Sequence, residues 1–63
     1  MKIDFDPEAD ALYLELSDAH VEKSEEVKPG VILDYDDTGN VIGVEVLHVS
    51  KRAKVDSHVK KAA

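Results

Sequence analysis

Sixty-three residues with no cysteine and a net charge of −6 make one small domain at most, and exclude both disulfides and thiolate zinc sites. The longest apolar runs are three or four residues, far below the roughly 20 needed to span a bilayer, and Met1-Lys2-Ile3-Asp4 has no signal-peptide core. A cytoplasmic protein with no membrane partner is therefore the expectation.

A chain of this size buries only about 60% of its unfolded surface, and its core rarely supplies more than about 3–5 kcal/mol. With cysteine absent, oligomerisation is the remaining common remedy. The charge is also uneven. Residues 1–50 hold thirteen acids and three lysines, net −10, while residues 51–63 hold five basic residues against Asp56, net +4. An acidic body argues against nucleic acid, whose phosphates need a basic face. A basic terminus beside it more often folds onto such a body, in its own chain or in a partner.

In chain order, Lys2–Asp6 alternates strictly, with Ile3 and Phe5 on one side and Lys2, Asp4 and Asp6 on the other. Pro7-Glu8-Ala9-Asp10 reads as a turn. Ala11–Leu16 alternates again, with Leu12, Leu14 and Leu16 together. Pairing Asp6 with Ala11 sets Phe5 opposite Leu12 and Ile3 opposite Leu14. Ser17–His20 reads as a turn. Val21–Val27 is polar enough to be a short edge strand, and Lys28-Pro29-Gly30 marks a bend.

Val31–Val46 reads as a second hairpin around Asp37-Thr38-Gly39-Asn40. With Asp36 facing Val41, Tyr35 falls opposite Ile42, Leu33 opposite Val44 and Val31 opposite Val46; a slip of one residue would scatter that apolar face. Beyond Val46 the alternation fails. Ser50 is a candidate helix N-cap, and Lys51–Lys61 has no proline or glycine. His48, Arg52, Val55, Val59 and Ala62 follow helical spacing, a stripe too thin to hold a helix without docking.

The fold class is thus α+β, mainly β: an antiparallel sheet of two hairpins, a candidate edge strand and a short C-terminal helix. Residues 1–52 form the domain, and 53–63 form a helical segment or frayed basic tail. One sheet face collects Ile3, Phe5, Leu12, Leu14, Leu16, Val31, Leu33, Tyr35, Ile42, Val44 and Val46, more than one thin helix covers. A second copy of the chain is the simplest cover, so a homodimer, by sheet packing or strand exchange, is expected.

The segments D-P-E-A-D-A-L-Y-L-E-L-S, E-E-V-K-P-G-V-I-L-D-Y-D-D-T-G-N-V-I-G-V-E-V-L and S-K-R together resemble the bacterial and archaeal domain-of-unknown-function family numbered 2283. The resemblance covers roughly residues 1–52. It implies a small antiparallel β domain with a C-terminal helical segment, and brings no activity, cofactor or catalytic residue. Toxin-like neighbours of some members imply an antitoxin or accessory role as one alternative.

Asp4, Asp6, Glu8 and Asp10, joined by Asp34, Asp36 and Asp37, could offer oxygen ligands to Ca²⁺ or Mg²⁺, but without EF-hand spacing. The simpler reading leaves Asp4 and Asp34 solvent-facing on strands and gives Asp6, Asp10, Asp36 and Asp37 to turn capping. Paired carboxylates could do acid–base work only in a pocket, which a 63-residue sheet would have to form between two copies. His20, His48 and His58 are too dispersed for a metal motif, and His48 reads as an interface or capping residue. Lys51, Arg52, Lys54, Lys60 and Lys61 lack the interleaved aromatics of a single-strand binder. Tyr13, pointing away from the main apolar face toward Ile32 or Val41, is either a partner anchor or ordinary packing.

The sequence therefore assigns no catalytic residue, no cofactor and no metal ligand. It nominates Tyr13, Ile32, Val41, Leu47, Val55 and Val59 as interface residues. A non-enzymatic homo-oligomeric protein-interaction module leads. Behind it stand an antitoxin-like regulator of a basic partner and a small enzyme or metal-binding protein with an acidic site at a dimer interface.

Overall fold

A computed structural model describes residues 1–52; the expected helix beyond Arg52, with Val55 and Val59, lies outside the described residues. The chain forms five strands and one helical turn: β1 (Lys2–Asp6), β2 (Ala11–Glu15), β3 (Lys23–Lys28), β4 (Val31–Tyr35), β5 (Val41–Leu47) and α1 (Val49–Arg52). The strands make one antiparallel sheet in the order β1-β2-β5-β4-β3. Mostly β with one short C-terminal helix is the architecture that the alternating sequence predicts, with β3 as an edge.

The first hairpin has the predicted register, Ile3 opposite Leu14, Phe5 opposite Leu12 and Asp6 opposite Ala11. Its loop is tied by Asp6, whose Oδ1 accepts the N–H groups of Glu8 at 3.1 Å and Ala9 at 3.3 Å. The loop ends on Asp10 at φ 57°, a left-handed conformation that aspartate tolerates better than most residues. From β2 the chain must reach the far edge, because β5 and β4 lie between β2 and β3. Residues 16–22 make that crossing, and it is fastened on the way. Leu16 and Ser17 donate N–H bonds to the Ile42 carbonyl at 2.9 and 3.3 Å, and Glu22 donates to the Tyr35 carbonyl at 2.7 Å.

The second expected hairpin differs at its tip. Val31 pairs with Val46 and Leu33 with Val44 as predicted, but Tyr35 pairs with Val41 rather than Ile42. The reason is a tighter loop. Asp36 donates its N–H to Asn40 at 3.0 Å, and Gly39 donates to Asp36 at 3.1 Å, so three residues span the turn, with Gly39 at φ 86°. The one-residue excess is absorbed as a bulge at Ile42, whose carbonyl is thereby free to receive the crossing segment. Ile42 is also the one buried hydrophobic side chain among the described residues, at 3% exposure.

The Pro29-Gly30 bend is a third hairpin. Lys28 faces Val31, with Val27 bulged beside them, and Gly30 has φ 77°, the combination of proline and positive-φ glycine that a type II turn uses. Glu26 accepts the Gly30 N–H at 2.9 Å.

Two latches fix α1 to these turns. Asp10 accepts the Val49 N–H with its carbonyl at 3.0 Å, and with its carboxylate the Ser50 N–H at 3.0 Å and the Ser50 hydroxyl at 2.8 Å. Ser50 is therefore not the N-cap of α1, contrary to expectation; an aspartate forty residues earlier supplies the acceptor that the first turn needs. Arg52 donates through Nε to the Leu47 carbonyl at 2.8 Å and through Nη2 to the Pro29 carbonyl at 2.6 Å. Gly30 permits this, since a Cβ there would collide with the guanidinium.

With one buried hydrophobic group carrying both the bulge and the crossing, Ile42→Ala should cost about 2–4 kcal/mol, read as a lower urea midpoint. Val27→Ala, at an exposed position on the β3 edge, should move it far less.

Candidate interaction surface

Directly opposed residues share a face, so the registers sort the sheet into two sides. On one side run the rows Ile3, Leu14, Val44, Leu33, Glu25 and Phe5, Leu12, Val46, Val31, Lys28. A third row places Val41 beside Tyr35 and Lys23, with the Lys23 ammonium 5.4 Å from the Tyr35 ring centre. Apart from its β3 end, this side is apolar. Among the described residues α1 is the only helix, and its bonds go to the loops at one end of the sheet. Ile3 and Phe5 are accordingly 66% and 50% exposed.

The reverse side carries the rows Lys2, Glu15, Gly43, Asp34, Ser24 and Asp4, Tyr13, Glu45, Ile32, Glu26. Its centre is built around a missing side chain. Gly43 sits in the middle strand, and a Cβ there would overlap the Tyr13 hydroxyl and approach its Cζ to 2.9 Å. The phenol therefore lies across β5 and donates to Asp34 Oδ2 at 2.9 Å, while Ser24 donates to Asp34 Oδ1 at 2.5 Å. Three strands are cross-linked through one carboxylate. The hydrogen bond to that carboxylate, then burial, then the charges of Asp34, Glu15 and Glu45 raise the Tyr13 pKa above its ordinary value.

Several sequence expectations are corrected by this geometry. Asp34 is not a solvent-facing carboxylate but the acceptor of two hydroxyls. Val41 does not stand with Tyr13 on the reverse side; the Ile42 bulge turns it to the apolar side, opposite Tyr35. Tyr13, Ile32 and Leu47 do share the reverse side, half-buried. The nominated interface set is thus divided between two faces, with Val55 and Val59 outside the described residues.

Most of the acidic residues that suggest metal or acid–base chemistry have in-chain donors. Asp6 ties the first loop and Asp10 caps α1, as described above. Asp36 accepts the Thr38 N–H and hydroxyl, both at 2.9 Å, and the Asn40 N–H at 3.0 Å. These bonds, the Asn40 backbone first, lower its pKa below the usual carboxylate value. Among the described residues no group of three or more His, Asp or Glu is placed to hold a metal ion. A depression of about 410 Å³ beside the first loop is lined by Asp4, Asp6, Ala11, Tyr13 and Glu45 among others, but Asp6 and Tyr13 are already engaged. His48 stands exposed at φ 56° before α1, and its carbonyl accepts from Lys51 and Arg52. The feature that sequence reasoning missed is the Tyr13–Gly43–Asp34 bridge. Its signal was a lone glycine inside a strand rich in valine and isoleucine, which marks close approach of another group.

A small antiparallel β sheet in which Asp6, Asp10, Asp34 and Asp36 hold turns and strands together defines a structural class without pointing to a reaction. The comparisons agree on the lineage. The model of the family described as "Protein of unknown function (DUF2283)" matches residues 2–50, so the chain belongs to that family. It is 34% identical over 58 residues to "Uncharacterized protein MJ0789" of Methanocaldococcus jannaschii, covering 92% of this chain and 49% of that protein. The chain therefore spans about half the length of this relative. No solved structure matches. None of the helices in the described residues is long and apolar enough to cross a membrane.

Two pH limits follow. The raised Tyr13 pKa contributes stability that is present below about pH 10 and lost as pH rises through the folded value. Tyr13→Phe should flatten that alkaline loss in melts followed by circular dichroism, and Gly43→Ala should destabilise at every pH. The lowered Asp36 pKa contributes stability present above the unfolded value near 3.9 and lost as pH falls through the folded one. Asp36→Ala should shallow the acid limb.

Proposed function

We propose that this chain is a non-enzymatic interaction module that works as a homo-oligomer, a second copy covering apolar surface that one copy leaves open. The observation that carries the reading is the exposure of Ile3 and Phe5 on a face otherwise made of Leu12, Leu14, Val31, Leu33, Val44 and Val46. Five strands about 4.8 Å apart and five to seven residues long present roughly 500 Å² a side in projection, or about 1,000 Å² for two copies. That reaches the threshold of a specific interface. The use of Asp6, Asp10, Asp34 and Asp36 as structural acceptors supports the non-enzymatic part.

A second reading, a regulator of a basic partner, draws on the reverse side. Asp4, Asp6, Glu15, Glu26, Asp34 and Glu45 stand there against Lys2. Such a surface would attract Lys- and Arg-rich protein with marked salt dependence.

Sedimentation velocity discriminates. The first reading expects a dimer or higher species at micromolar concentration and its dissociation in Phe5→Asp. A wild-type chain sedimenting as a monomer up to hundreds of micromolar would count against it.

A further inference from the structure

The two edges of the sheet are unequal. β3 places Lys23, Glu25, Glu26 and Lys28 along six residues, is bulged at Val27 and runs into Pro29. These are the features with which natural sheets blunt an edge. β1 also carries charge, at Lys2, Asp4 and Asp6, and runs into Pro7, but it lacks the bulge. It pairs residue for residue with β2, and its outer backbone groups face no strand among the described residues. The most exposed large apolar side chains among the described residues cluster here: Met1 at 86%, Ile3 and Phe5.

We propose that β1 is where two copies of this chain join, antiparallel about a two-fold axis through Ile3, to form one ten-stranded sheet. The proposal rests on the reading above that the chain self-associates and adds an edge contact to it, one that widens the apolar side rather than covering it.

The register follows from side-chain parity and charge. Keeping Ile3 and Phe5 on the apolar side in both copies requires the axis to pass through a residue, because an axis between residues would set Ile3 opposite Asp4. Three centres are available within the strand's middle. Centring on Asp4 opposes Asp4 to itself, and like charges directly opposite destabilise a sheet. Centring on Phe5 opposes Asp4 to Asp6 twice and sets Ile3 against Pro7, which has no N–H to give. Centring on Ile3 opposes Lys2 to Asp4 of the second copy twice, Ile3 to Ile3, and Phe5 to Met1. Every pair is then opposite in charge or apolar. In this arrangement Lys2 lies between Glu15 of its own chain, its neighbour in β2, and Asp4 of the other. The exposed Ile3 and Phe5 gain flanking strands on both sides, as Leu12 and Leu14 already have.

The chain contains no cysteine, so single-cysteine variants read the register directly. Ile3→Cys, Asp4→Cys, Phe5→Cys and, on the other edge, Ser24→Cys would be oxidised under mild conditions and run on non-reducing gels. With the axis at Ile3, only Ile3→Cys brings its copies within the roughly 7 Å Cα reach of a disulfide; the Asp4 and Phe5 pairs are staggered by about 7 and 13 Å along the strand. Ile3→Cys should therefore give the covalent dimer and the other three should not. Preferential crosslinking of Asp4→Cys, Phe5→Cys or Ser24→Cys overturns the register or the edge. Failure of Ile3→Cys while the wild type sediments as a dimer overturns edge pairing but leaves self-association standing. A monomeric wild type overturns both. Charge reversal supplies a second readout: Lys2→Glu should weaken the dimer about tenfold, and adding Asp4→Lys should restore most of it. A double variant no tighter than the single one contradicts the pairing.

Discussion

A β-sheet has two faces, and residues 1–52 of this chain form only one layer. Everything else about the described structure follows from how that layer is held without a second one. With a single hydrophobic side chain buried among the described residues, the usual source of cohesion, apolar area removed from water, is largely unrealised within residues 1–52. What holds the strands in order is a set of polar fastenings at the ends and centre of the sheet. The Ile42 carbonyl receives the crossing segment, Asp10 holds the start of α1, and Arg52 binds the end of β5 to the Pro29 turn.

The same fastenings account for residues that look chemical when read as letters. Asp6, Asp10, Asp34 and Asp36 are acceptors with donors already in place. Partly buried carboxylates and phenols cost free energy unless they are paired, and Asp34, bonded by both Tyr13 and Ser24, meets that demand. The Tyr13 hydroxyl is held in its protonated form by this bond. That suits it to bracing three strands.

The strands were legible because alternation and register constrain each other. Ile3 and Phe5 can face Leu14 and Leu12 in only one way once one side must be apolar. The tip of the β4–β5 hairpin was not legible, because Asp-Asp-Thr-Gly-Asn suits either a four-residue loop or a three-residue loop with a bulge. The choice falls to Ile42, whose carbonyl is claimed by Leu16 and Ser17, a tertiary contact with no local signature. The Ser50 cap failed for the same reason: the acceptor lies forty residues away. Gly43 carried a readable signal, a glycine in a strand interior, but not the identity of the group that fills its space. Family membership is shown by a model matching residues 2–50.

If two copies complete one another, folding and association are linked, and stability depends on protein concentration. The most direct measurement is thermal unfolding by circular dichroism at 1 µM and at 100 µM under otherwise equal conditions. A dimer that unfolds to separate chains should melt about 10 °C higher at the greater concentration. A midpoint that does not move with concentration would show that one copy is sufficient, contradicting the account at its centre.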